Sequence, residues 1–220
     1  MPMRLGTPRL SRHASVLSWV RHEHHARYVF ASAYVKGRRV VDCACGEGFG
    51  TAVFARAGAA SIGAFDQSAA AIAAATARYH LPAVQFGVSH ANHLPVADRS
   101  VDVYIALETI EHLDDARGFL EEAGRVLIPH GLFICSTPNR DVTNPGTMTE
   151  DRPRNPFHVR EYARQDLEPL LWSVFGRVAW FGQNPVPGPW RWILEVVGRR
   201  SPRGAALLTQ CGKLRWLCGD

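Results

Sequence analysis

Short apolar runs and alanine-rich helical stretches take turns along most of this chain. Runs at 39–43, 61–65, 83–86, 101–107 and 132–136 are bounded by Gly, Pro, Asp or Ser and predict buried strands. Between them, 50–57, 68–79 and 114–127 predict helices. Gly58 stops the first, Ser68 caps the second and Asp114 opens the third. A polar, histidine-rich stretch at 16–35 predicts a helix ahead of the first strand. Residues 162–171 predict another helix and 177–181 a sixth strand. Such alternation means βαβ units: an α/β fold with a mostly parallel central sheet of six or seven strands and helices on both faces. Residues 137–160 break the rhythm with four prolines, Pro138, Pro145, Pro153 and Pro156. They predict a long loop beside the carboxyl ends of the strands, where lids and substrate contacts are found. The chain so divides into an N-terminal helical cap (1–35), an α/β domain (36–182) with 137–160 as its lid, and a tail (183–220). The tail offers three early prolines and a weakly helical stretch at 190–197.

Composition narrows the class. A length of 220 residues, 46% hydrophobic and 20% charged, fits one globular domain with a full core. No apolar run reaches the roughly 18 residues that span a bilayer, and the N-terminus has no signal-like apolar core. Five cysteines (Cys43, Cys45, Cys135, Cys211, Cys218) form no C-x-x-C pair, which points to a reduced, cytoplasmic setting and away from a zinc site built on them. The net charge of +5 is carried by the two ends: 1–35 and 181–220 are each at +4, while 36–180 is at −3. A basic, Trp-containing tail suits peripheral contact with a membrane surface or an anionic acceptor. Nucleic acid is the weaker reading, because 23 of the 25 cations are arginine, the mark of a compositional bias.

The most informative segment is V-V-D-C-A-C-G-E-G-F-G at 40–50. A strand ends in Asp42, and Gly46, Gly48 and Gly50 follow at every second position, at the start of a helix. Glycines there let backbone N–H groups approach a ligand closely. A dinucleotide site asks for G-x-G-x-x-G/A, and Thr51 occupies its third position. Asp42 would repel a pyrophosphate but suits a ligand bearing an ammonium and a sulfonium. The loop predicts a binder of S-adenosylmethionine.

Further along, Glu108, Glu111 and His112 stand at i, i+3 and i+4, so one helical turn would place all three on one face. Two carboxylates and an imidazole suit Mg²⁺, Mn²⁺, Fe²⁺ or Zn²⁺, with His158 of the proline-rich loop as a fourth ligand. Three readings stand side by side: a metal site of Glu108, Glu111, His112 and His158; a metal-free site with His112, Glu111 or His158 as catalytic groups; or a simple turn before the next helix, with Glu108 alone touching cofactor. His13, His22, His24 and His25 are taken as solvated.

These segments together resemble the Rossmann-like class I S-adenosylmethionine-dependent methyltransferases, in the type 11 group that includes ubiquinone-pathway and glycan-associated enzymes. The resemblance rests on 40–50, I-G-A-F-D-Q-S (62–68), H-L-P-V-A-D (93–98), A-L-E-T-I-E-H-L (106–113), G-R-V-L-I-P-H-G (124–131), S-T-P-N-R (136–140) and N-P-F-H-V-R-E (155–161). It implies that Asp42, Cys43, Gly46 and Gly48 hold the amino-acid end of the cofactor and that Asp66 accepts both ribose hydroxyls. Gln67 would pack by the adenine, and Leu107 and Glu108 would line the cofactor. Where the family has Asp-Ala against the adenine amino group, this chain has His90 and Ala91, which puts that contact in doubt. Arg27 and Tyr28 match an A-R-Y pattern that closes over the cofactor. An E-x-x-E-H followed by a later His is similar to metal-dependent small-RNA 2′-O-methyltransferases, in which the metal holds the acceptor hydroxyls.

The leading expectation is O-methylation of a small-molecule or glycan hydroxyl, releasing S-adenosylhomocysteine. An N-methyltransferase and an RNA 2′-O-methyltransferase are the alternatives. A nicotinamide oxidoreductase on the same scaffold, opposed by Thr51 and Asp42, and a non-catalytic binding module docking through the tail stand further off.

Overall fold

The computed structural model describes residues 18–183 and the backbone of 213–219, with side chains from 24 to 183. Helix α1 (Ser18–Ser32) leads into β1 (Arg39–Cys43), α2 (Phe49–Arg56), β2 (Ser61–Asp66), α3 (Ala69–Arg78), β3 (Val84–Val88) and β4 (Val101–Leu107). A single 3₁₀ turn (Ile110–His112) precedes α4 (Ala116–Val126) and β5 (Leu127–Pro138). The short α5 (Arg140–Thr143), α6 (Arg164–Trp172), β6 (Arg177–Gln183) and β7 (Lys213–Gly219) follow. Ser68 and Asp115 cap α3 and α4, accepting from the N–H of Ala71 and Gly118. Among the described residues no helix is long and apolar enough to cross a membrane.

The strands form one sheet in the order β3-β2-β1-β4-β5-β7-β6. The parallel part counts five strands, not six or seven: β7 pairs antiparallel with both β5 and β6. The order reverses between β1 and β4, and the crevice at the carboxyl ends of those two strands is where open α/β sheets bind ligands. Side chains alternate between two cores. Val41, Cys43, Tyr104, Ala106 and Phe133 pack with α4 and α6, and Val40, Ile62, Val103 and Ile105 pack with α1, α2 and α3.

Three boundaries depart from the sequence pattern. Strand β5 starts at Leu127, because Pro129 and Gly131 sit in an irregularity of the β4 pairing, between the rungs Val101–Leu127 and Val103–Leu132, rather than before the strand. The tail is not featureless, since 213–219 is β7; the predicted helical stretch at 190–197 lies outside the described residues. The i, i+3, i+4 face at Glu108–His112 does not form, because Glu108 has a left-handed backbone (φ 56°) and helical geometry begins only at Ile110.

Candidate active site

The crevice is built by the ends of four parallel strands. Asp42 at the end of β1 is 4% exposed and accepts a hydrogen bond from Thr51 Oγ1 at 2.5 Å. Burial pushes its carboxyl up to about 7; the Thr51 hydroxyl opposes that shift and the charge of Asp66 adds to it. Thr51, the residue that spoils the dinucleotide pattern, is thus the anchor of Asp42. Gly48 has φ 79°, and a Cβ there would meet Phe86 at 3.0 Å and Ala75 at 3.1 Å. A Cβ on Gly50 would collide with the Tyr28 ring, which lies across the loop beside Phe49 and Phe54.

Asp66 closes the loop from the β2 side. Its Oδ2 accepts from the Gly46 N–H at 2.9 Å and its Oδ1 from the Ser68 N–H at 2.8 Å. Above Gly46, nothing stands within 4 Å of the place a Cβ would take. Gln67 is exposed and Leu107 half-buried, while Cys43 points into the core, its thiol pushed up to about 12 by burial. Ala91 is buried beneath the turn that carries the exposed His90. His90 Nδ1 accepts from the Asn92 N–H at 3.3 Å, the turn bond an aspartate would otherwise make. His25 is exposed beside Phe49 and His24 half-buried; His13 and the side chain of His22 lie outside the described residues.

Across the crevice the chemistry changes. Glu108 takes no place among the metal-type ligands. Its left-handed backbone turns the carboxylate to Ser136 Oγ (3.0 Å) and to the Arg27 guanidinium (3.3 Å). Arg27, fully buried on α1, also donates from Nε to Gln183 Oε1 at 2.9 Å, so it ties α1 to the ends of β4 and β6.

Glu111, His112 and His158 come together. One ligand atom from each lies within 4.8 Å of the others, and they are the sole such group among the described residues. Glu111 is 1% exposed. Its Oε2 accepts from Thr137 Oγ1 at 2.9 Å, and its Oε1 is buried without a hydrogen-bond partner. Burial, then the charge of Glu108, push its carboxyl well above the usual carboxylate range against the pull of His158. His112 Nδ1 meets the Phe157 carbonyl at 2.8 Å, so that nitrogen carries a proton. The two imidazoles stand edge to face, centroids 4.9 Å apart.

His158 arrives on the loop after β5, and Val159 and Arg160 both donate backbone N–H bonds to the Glu111 carbonyl. Arg140 pins the same loop, pairing with Asp166 at 2.6 Å and contacting Thr149. Glu161, Thr137 and Asn155 hold these groups and were not singled out by sequence. Glu161 had a signal: it ends the N-P-F-H-V-R-E segment, three residues past His158.

Residues 41–135 match the family model described as a methyltransferase domain. A probable S-adenosylmethionine-dependent methyltransferase of Mycolicibacterium smegmatis is 40% identical over 153 residues, which is 70% of this chain and 57% of that protein. A ubiquinone biosynthesis O-methyltransferase of Azorhizobium caulinodans is 36% identical over 110 residues, 49% of this chain and 43% of that one. The chain therefore spans about half the length of the curated relatives it matches. A putative methyltransferase solved in complex with the Haloferax volcanii Trm112 methyltransferase activator has the same fold, with a TM-score of 0.70 at 18% identity and 92% of each chain covered.

Proposed function

We propose, on the methyltransferase-domain match and the crevice geometry, that the chain is an S-adenosylmethionine-dependent methyltransferase acting on a hydroxyl of a small molecule or glycan. The observation that supports the donor is the pairing of Asp66 with the Gly46 N–H beside Asp42, which frames an anion-lined, glycine-floored slot at the switch point. In this reading Asp42 and the backbone of Gly46 and Gly48 face the cofactor's amino-acid end, and Asp66 faces its ribose. The methyl group moves by in-line displacement. The acceptor oxygen forms the O–CH₃ bond as the C–S bond breaks, its electron pair stays on sulfur, and S-adenosylhomocysteine leaves.

Glu111, His112 and His158 are placed to deal with the acceptor's proton. The group fits a divalent cation: Glu111 Oε1 is buried without a partner, and His112 and His158 each bring a ring nitrogen to the same cluster. Those three residues would hold the cation, and a hydroxyl bound to it would have a lowered pKa. Without a cation, His112 Nε2 would take the proton as general base, its ring held by the Phe157 carbonyl. Isothermal titration with S-adenosylhomocysteine and with NADH tests the donor: tight binding of the first and none of the second is expected, and the reverse sinks the reading. Exhaustive chelation tests the cation, since full activity afterwards would leave only the general base.

A further inference from the structure

The loop that brings His158 to Glu111 is basic in an unusual way. Its segment 152–160, R-P-R-N-P-F-H-V-R, holds three arginines and no acid. Elsewhere on the fold, arginines such as Arg39, Arg78, Arg125 and Arg164 pair with a carboxylate. Among the described residues, Arg152, Arg154 and Arg160 have no carboxylate within the 4.0 Å of an ion pair. The acids that flank the segment are already engaged. Asp151 accepts from the Met148 N–H, and Glu161 accepts from Thr143 and Asn144 and pairs with His158.

Arg160 differs from every other unpaired arginine among the described residues. The others are exposed, so water can satisfy them, whereas Arg160 is half-buried. Partial burial of a cation is costly unless an anion meets it. Its place is fixed as well, because its backbone N–H donates to the Glu111 carbonyl at 3.2 Å. Beside it lies a second unfulfilled group. The Tyr162 side chain is 1% exposed, and its hydroxyl is buried without a hydrogen-bond partner. Burial raises the pKa of that hydroxyl, the neighbouring Arg160 guanidinium opposes the shift, and the charge of Glu111 adds to it. The hydroxyl is therefore close to both residues.

We infer that Arg160, with the Tyr162 hydroxyl beside it, binds an oxyanion carried by the acceptor, so that the substrate is a small hydroxylated molecule bearing a phosphate or a carboxylate. The guanidinium offers a planar fork of donors that matches either group, and the tyrosine adds one more O–H. The anion and the reacting hydroxyl would lie near each other in the substrate, since Arg160 and the Glu111 group are joined through the Glu111 carbonyl. Exposed Arg152 and Arg154 would draw such a molecule toward the crevice. The inference deepens the proposed function and rests on its acceptor site.

The test uses the full chain saturated with S-adenosylhomocysteine, which fills the cofactor slot. Inorganic phosphate and acetate are titrated separately at constant ionic strength in chloride, and binding is read from the backbone ¹H–¹⁵N shifts of Glu111 and Val159. Wild type should bind at least one of them at millimolar concentration, and the stronger one tells phosphate from carboxylate. Arg160→Gln should lower that affinity about 10–100-fold, and Tyr162→Phe about threefold to tenfold. Arg177→Gln removes an unpaired arginine at the opposite end of the sheet and should change it less than about twofold. S-adenosylhomocysteine affinity within about twofold of wild type shows that each variant folds. Binding of neither anion by wild type, or an anion affinity untouched by Arg160→Gln or by Tyr162→Phe, overturns the inference. A single-stranded RNA that binds through Arg160 where neither small anion does overturns it in favour of nucleic acid. A chain that binds no S-adenosylhomocysteine fails earlier, as a methyltransferase.

Discussion

The two banks of the crevice are made differently. On the bank proposed for the donor, Asp42, Gly46, Gly48 and Thr51 lie within ten residues, and Asp66 accepts from the backbone N–H groups of Gly46 and Ser68. On the bank proposed for the acceptor, side chains from the end of β4, the end of β5 and the loop beyond it converge on Glu111, and their separation in sequence reaches tens of residues. Backbone donors cost little reorganisation and tolerate most side-chain changes around them. A side-chain cluster depends on every member and on the loops that deliver them. The donor bank should therefore lose affinity in steps, whereas the acceptor bank should fail outright.

Glu111→Gln is the hardest test of that contrast. Turnover should fall about a thousandfold or more while S-adenosylhomocysteine affinity changes less than about twofold. A comparable loss of cofactor binding would show that the banks are not separable. Asp66→Asn should weaken S-adenosylhomocysteine binding roughly 10–100-fold in calorimetry, the range expected for a charged hydrogen-bond acceptor. Turnover at saturating cofactor should survive it. Gly50→Ala forces the Tyr28 ring off the loop and should cost about 1–3 kcal/mol, read as a melting temperature lower by several degrees.

The smallest effect is a pH slope. Asp42 in the fold keeps its proton to about 7, whereas its ordinary value is 3.8. The native state then binds a proton that the unfolded chain has given up, so stability falls as pH rises from about 4 to about 7 and levels off above. The full swing is at most about 4 kcal/mol, and Asp42→Asn should flatten it in denaturant titrations taken across that range. Binding of the cofactor's ammonium should strengthen over the same interval, a few-fold in wild type and not in the variant. A wild-type affinity that is flat with pH would remove Asp42 from the donor bank.

The contrast also explains what was legible in the sequence. Strand alternation, Asp42, the glycines and Asp66 depend on local spacing, and each stands at the place its segment predicted. Glu108 was misplaced because a helical count was carried through a residue whose φ is positive, a conformation that glutamate does not advertise. Glu161 and Thr137 went unread because their value lies in contacts with residues distant in sequence, Glu161 with Thr143 and Asn144 and Thr137 with Glu111. Strand β7 was missed for the same reason. Its charged positions, Lys213 and Arg215, hide a pairing with strands 30 or more residues away.

That strand has a consequence for how the chain is made. β6 joins the sheet only through β7, so residues 177–183 emerge from the ribosome before the strand that connects them to β5 exists. At about 5–20 residues per second, the wait from Gln183 to Lys213 lasts a few seconds. During it β5 offers a bare edge, and the bond from Arg27 to Gln183 has no sheet to stitch. The hazard in this protein's synthesis is a matter of timing.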